Sequence, residues 1–207
     1  MRARFLPLLL AVLSAAAIAW PGNAFAQAQT PKWVEPPDKL PNVQGADPTR
    51  NLDFLFGALK VAPDDESAKA IESRIWALWV ISESDTANLL MTRVKTAVDG
   101  KETELALKLL DSIIKIRPDY TEAWNRRATL RFMNKEFGKS LADIREVLRR
   151  EPRHFGALSG LGQIMQQLGD DRRALEIYRR ALEVHPRLER LPDLVKTLQE
   201  KVEGQDI

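Results

Sequence analysis

From Asn51 onward, apolar residues recur three or four positions apart, the spacing of one helix face. Leu52, Leu55, Phe56 and Leu59 make a first stripe, which Pro63 closes. Asp64, Asp65 and Glu66 follow, and negative charge suits a helix N-terminus. Ala68, Ile71, Ile75, Leu78 and Trp79 carry a second stripe to about Ser82, broadened by Trp76 and Val80. Later stripes run through Leu105, Leu109, Ile113 and Ile116; Leu141, Ile144 and Leu148; Leu175, Tyr178, Ala181 and Leu182; and Leu191, Leu194, Leu198 and Val202. On the last of these, Asp193, Lys196, Glu200 and Lys201 fill the opposite face. About nine helices are predicted in one domain. Asp85 or Thr86 is expected to cap the third helix, and Asp119 or Thr121 the fifth. Gly100, Gly138 and Gly169 mark turns within helix pairs.

The stripes are punctuated by Pro118, Pro152 and Pro186, at intervals of 34 residues (152 − 118 and 186 − 152). A fixed period of this length is the mark of a stacked helix-pair array. Each proline ends a helix and biases its predecessor away from helical geometry. Aligning the stretches ending at Pro152 and Pro186 puts Trp124 on Leu158, Arg127 on Leu161, Ala128 on Gly162, Ser140 on Ala174, Ile144 on Tyr178 and Val147 on Ala181. Small residues thus recur at two places, where two antiparallel helices approach closely. One more step back gives Leu90, Val94, Ala106, Leu110 and Ile113; Val94 departs from the small pattern, which makes the first copy the looser one. Pro63 lies outside the frame.

This pattern resembles the tetratricopeptide repeat (TPR) family. The carriers are Leu158, Leu161-Gly162, Gly169, Ala174, Tyr178, Ala181 and Pro186 in the last copy, and Trp124, Ala128 and Pro152 in the one before. The middle copy departs at Arg127, where the family prefers Leu, and at Ser140. The resemblance covers about Ala87 to Pro186. It implies an all-α, right-handed α-solenoid of helix-turn-helix TPR units, with repeats at 87–120, 121–154 and 155–188. Residues 51–86 read as a degenerate helical pair covering the first repeat, and 189–207 as a C-terminal capping helix and tail.

In that family, helix A of each repeat lines the concave surface. The resemblance therefore implies a protein- or peptide-binding groove of Met91 and Lys95; Asn125, Arg126, Thr129, Phe132 and Met133; and Ser159, Gln163, Gln166 and Gln167. One subgroup grips a C-terminal carboxylate with basic residues. Here Gly156 and Gly160 stand at those places, so that ligand is not expected. Two functions follow: an adaptor binding protein or peptide partners, or a permanent accessory subunit of an envelope complex.

Ahead of the helices, Arg2 and Arg4 precede an apolar run from Phe5 to Trp20. Pro21-Gly22-Asn23 breaks it, and Ala24-Phe25-Ala26 supplies the small residues of a cleavage site. This is a signal peptide in form, 1–26, cut after Ala26, with a periplasmic destination and no membrane span after cleavage. The run holds 16 residues, short of the ~20 a spanning helix needs. Residues 27–50, with Pro31, Pro36, Pro37, Pro41 and Pro48, read as a disordered tether. A proline-rich ligand is its sharper alternative. Trp33 within it has no tether role and is a candidate to dock on the domain or a partner.

Charge and chemistry narrow the picture. Of 31 basic residues, removal of Arg2 and Arg4 leaves 29, against 29 acidic ones. That balance gives no drive toward nucleic acid or anionic membranes. The absence of Cys excludes disulfides, thiolate metal sites, Cys nucleophiles and a lipidated Cys. No GxSxG, HExxH or phosphate-loop pattern is present, so no catalytic or metal site and no cofactor are predicted. His154 and His185, each beside a closing proline, are expected in exposed turns. Acids interleaved with Arg126-Arg127, Arg149-Arg150, Arg172-Arg173 and Arg179-Arg180 predict salt-laced solvent faces.

Overall fold

A computed structural model describes residues 33–37, 39–41 and 51–204. The leader, its cleavage site and most of the tether lie outside the described residues. Among them the regular secondary structure is helix alone, with no strand. The helices are α1 (Leu52–Lys60), α2 (Asp65–Val80), α3 (Asp85–Asp99), α4 (Thr103–Ile116), α5 (Thr121–Met133), α6 (Phe137–Arg150), α7 (Phe155–Gln167), α8 (Asp171–Val184) and α9 (Leu191–Glu203). None is long and apolar enough to cross a membrane.

Helix starts follow local chemistry, with two corrections. Asn51 and Asp64 cap α1 and α2 by accepting from Asp53 N at 2.8 Å and Ser67 N at 2.7 Å. The cap of α3 is Ser84, one residue before the expected Asp85. Thr121 opens α5 rather than capping it; Tyr120 holds the cap position with no side-chain bond. Asp119 is instead held by Arg117, whose guanidinium lowers its pKa to about 2.

The turns inside each pair keep the 34-residue period; Gly100 and Gly169 lie in them as expected, and the left-handed position is one that, of the three expected glycines, Gly169 alone occupies. Lys101, Lys135 and Gly169 are the left-handed residues, with φ of 59°, 60° and 79°. The same closing bond follows each: Glu102 N to Ala97 O at 2.8 Å, Glu136 N to Arg131 O at 2.8 Å, Asp170 N to Met165 O at 2.9 Å. This is the αL stop that satisfies a helix's last carbonyls. Gly169 meets it without strain, whereas two lysines accept an unfavourable conformation in the earlier copies. Gly138 falls inside the first turn of α6, which explains its offset.

Packing within the pairs shows a compensation. At the two facing positions stand Val94 with Leu110, Ala128 with Ile144, and Gly162 with Tyr178, and all six are buried. As one member grows the other shrinks. A Cβ on Gly162 would lie 2.3 Å from the Tyr178 ring. Val94, 1 % exposed, is thus matched by a smaller partner, and the first copy is not loose there. Both departures of the middle copy find partners as well. The Ser140 hydroxyl donates to Ala128 O at 2.8 Å. Arg127 makes a two-pronged contact with buried Asp143 at 3.0 and 2.7 Å, which Arg131 joins at 2.7 Å.

The buried face of α4 lies one position along from the expected stripe: Ala106, Leu110, Ile113 and Ile114 are inside, while Leu105 and Ile116 are exposed. The reason is the position of α1 and α2. They do not cover the first repeat. They lie against α5, α7 and α8, where Leu55, Phe56, Leu59, Trp76 and Trp79 share one core with Phe155, Leu158 and Tyr178. Cross-links fix this placement. Arg153 reaches Asp53 at 2.6 Å and lies over the Phe56 ring. Arg187 donates to Ala62 O, Pro63 O and Asp65 at 2.7–3.1 Å. The Tyr120 hydroxyl donates to Val80 O. At the other end, α9 buries Leu191 and Leu198 against α8.

Candidate functional site

The groove formed by the A helices α5 and α7 is occupied by the chain itself. Trp33, only 5 % exposed, seats its ring on Gly160 and beside Phe132, centroids 5.2 Å apart. The seat depends on glycine: a Cβ at Gly160 would lie 2.3 Å from the indole. One turn earlier, a Cβ at Gly156 would lie 3.0 Å from the Trp76 ring and 3.1 Å from Val34 O. Gly156 and Gly160 stand four apart on one face of α7, so together they form a trough that accepts two indoles and a stretch of main chain. The described part of the tether is therefore docked: Trp33 is buried, and Val34 and Leu40 pack against the core formed by α1, α2, α7 and α8. The expectation of disorder does not hold for these residues.

Behind the trough lies a buried polar cluster that sequence reasoning missed. Glu122, fully buried, accepts from Asn125 Nδ2 at 3.1 Å and has Arg126 Nε 3.1 Å away as an ion pair. His154 Nε2 lies 3.6 Å from Glu122 Oε2, the oxygen that Asn125 also bonds, while Arg126 faces Oε1. His154 is itself fully buried, stacked on Trp79 at 4.0 Å, and its Nδ1 accepts from Ala157 N, capping α7. His185, 1 % exposed, meets Glu72 of α2 at 3.1 Å, and Glu72 also accepts from Trp76 Nε1. Both histidines are thus interior, contrary to the exposed turns expected. His154 is roofed by Trp76 and Trp79 of α2, whereas His185 packs edge-on against Phe155 and meets α2 through Glu72; each imidazole serves as a packing surface with a polar edge.

The predicted groove residues separate into groups. Asn125, Thr129, Ser159 and Gln163 lie buried on α5 and α7. Thr129 spends its hydroxyl on Asn125 O at 3.0 Å. Phe132 contacts Trp33, while Met133 and Gln167 are exposed. Met91 is part of the core between α3, α4 and α5, and Lys95 pairs with Asp99 one turn on at 3.5 Å. Gln166 accepts from the Tyr178 hydroxyl at 2.7 Å, toward α8. Burial raises the pKa of that phenol, which keeps it a donor. A cavity of about 530 Å³ lies beside the docked segment, bounded by Trp33–Pro37, Lys69, Ser159 and Arg187.

Paired helices with a 34-residue period, stacked so that their A helices share a groove, define the class of helical-repeat binding scaffolds. No family model matches the chain. A TPR repeat-containing protein of Rhizobium etli is 42% identical over 157 residues, which are 76% of this chain and 77% of that one. The chain belongs to the TPR repeat-containing proteins. Among solved structures, the first TPR domain of Spaghetti (RPAP3) bound to an HSP90 peptide is similar, with TM-score 0.54 and 17% identity over 58% of this chain and 96% of that one. The MamA RS-1 ArsTM double mutant has TM-score 0.51 and 14% identity over 77% of this chain and 88% of the other. At such identities the likeness is one of fold.

Proposed function

We propose that the chain is an exported, non-catalytic adaptor that binds a protein or peptide through the groove of α5 and α7 and serves the organisation of envelope proteins. The observation that carries this reading is the trough itself. Gly156 and Gly160 clear a path along α7 through which an extended segment of chain already runs. A surface that accepts main chain and an aromatic anchor suits a peptide better than a small metabolite. The Spaghetti domain, whose fold is similar, binds a peptide. The periplasmic destination rests on the leader pattern at 1–26.

Photo-crosslinkers placed in cells at Met133 and Gln167, the exposed groove positions, test the binding surface. Partners identified by mass spectrometry are expected from these two sites and not from Leu105 on α4. Capture from Leu105 alone would move the working surface out of the groove. N-terminal sequencing of the mature protein checks export, with Gln27 expected first.

A further inference from the structure

The segment in the groove is a ligand-like occupant with an imperfect fit. It carries no helix, ends in Pro36 and Pro37, and anchors through one indole that only glycine at 160 admits. Yet the Trp33 Nε1 donor is buried without a partner. On the same helix faces, seven residues before Phe132 and three after Gly160, Asn125 Oδ1 and Gln163 Nε2 are also buried without partners. Their side chains are 2 % and 4 % exposed. One acceptor and one donor are the complement of a peptide group, and buried polar atoms left unsatisfied cost free energy. The groove therefore holds recognition capacity that its own segment leaves unused.

We infer that the Gly156–Gly160 trough is a recognition site for an indole-anchored extended peptide, and that residues 33–37 hold it in cis until such a peptide displaces them. This rests on the reading of the groove as the binding surface. The competition is set by tethering. A segment on the same chain faces its site at an effective concentration on the order of mM, so even weak intrinsic binding keeps the trough filled. A partner gains entry by outbidding that tether, and it does so by pairing with Asn125 and Gln163, which the cis segment does not.

The test uses the full chain and a fluorescein-labelled synthetic peptide of residues 31–41 as probe, read by anisotropy. Trp33→Ala vacates the trough and should bind the probe at least tenfold more tightly than the parent. Adding Gly160→Ala to Trp33→Ala fills the trough with a methyl group and should abolish binding, with helicity unchanged by circular dichroism. A probe with Ala at the position of Trp33 should not bind. Equal affinity of parent and Trp33→Ala overturns the inference, as does a Gly160→Ala variant that still binds. If Trp33→Ala loses helicity, Trp33→Phe replaces it, with an intermediate gain expected and no gain counting against the idea. Failure here with successful capture at Met133 and Gln167 would leave the adaptor reading intact and remove only the indole site.

Discussion

The first and third repeats share a register and differ in what rests on them. In α3 and α4, Met91, Val94 and Leu110 are buried while Leu89, Val98 and Leu105 face solvent at 59 %, 40 % and 44 % exposure. In α7, every residue from Phe155 to Gly160 is buried. The contrast is decided at two positions of helix A. Two steps of 34 back from Gly156 and Gly160 stand Asn88 and Thr92, and one step back Glu122 and Arg126. Only the third repeat has room there for Trp76 and Trp33. A terminal helix pair settles where its large rings find depressions, and chain order does not choose the place. Tryptophan burial dominates that choice, since each ring removes some 150–250 Å² from water.

The sharpest way to break the contrast is at its centre. Trp76→Ala should lower stability by about 3–5 kcal/mol in urea unfolding, because the fully buried ring leaves a cavity between α2 and α7. Leu89→Ser, on the exposed side of the first repeat, should stay within about 0.5 kcal/mol. Equal losses would place α2 elsewhere. A smaller effect is expected from Gly162→Ala, which pushes on Tyr178 and should cost about 1–3 kcal/mol. Adding Tyr178→Ile rebuilds the Ala128–Ile144 combination of the second repeat and should recover part of that loss. Strict additivity in a double-mutant cycle would refute the compensation. The smallest effect has the opposite sign. Gly57→Ala in α1 meets nothing within 4 Å and should raise stability by about 0.4–1 kcal/mol, seen as a higher thermal midpoint.

The period and the small positions were legible because spacing and side-chain volume are properties of the sequence itself. Pro118, Pro152 and Pro186 bound the helix pairs, and Ala106, Ser140 and Ala174 all lie fully buried. What was hidden depended on which surface each pair meets. His154 beside a proline reads as a solvent turn until α2 is laid over it. The Leu105 stripe reads as core until the pair expected to cover it is found against α7. Trp33 stood out as an aromatic without a local role, but only the trough on α7 gives it a seat. The signal for that trough was in view as Gly156 and Gly160 four apart, read there only as missing basic residues. The volume trade between Val94, Ala128 and Gly162 and their partners was equally present, and needed the A–B facing to be seen.

The glycines of α7 have a consequence for timing. Three of them in a thirteen-residue helix, at 156, 160 and 162, cost roughly 2–3 kcal/mol of intrinsic helix propensity relative to alanine. The rings seated on them supply what the backbone lacks. Two of those rings, Trp33 and Trp76, belong to the N-terminal part of the chain and not to the solenoid. An occupant leaving the trough takes with it part of the support that keeps α7 helical. Without the Trp33 ring, α7 should keep its helicity but open locally more often around Gly160. Amide hydrogen exchange along residues 155–167 is expected to be faster in Trp33→Ala than in the parent.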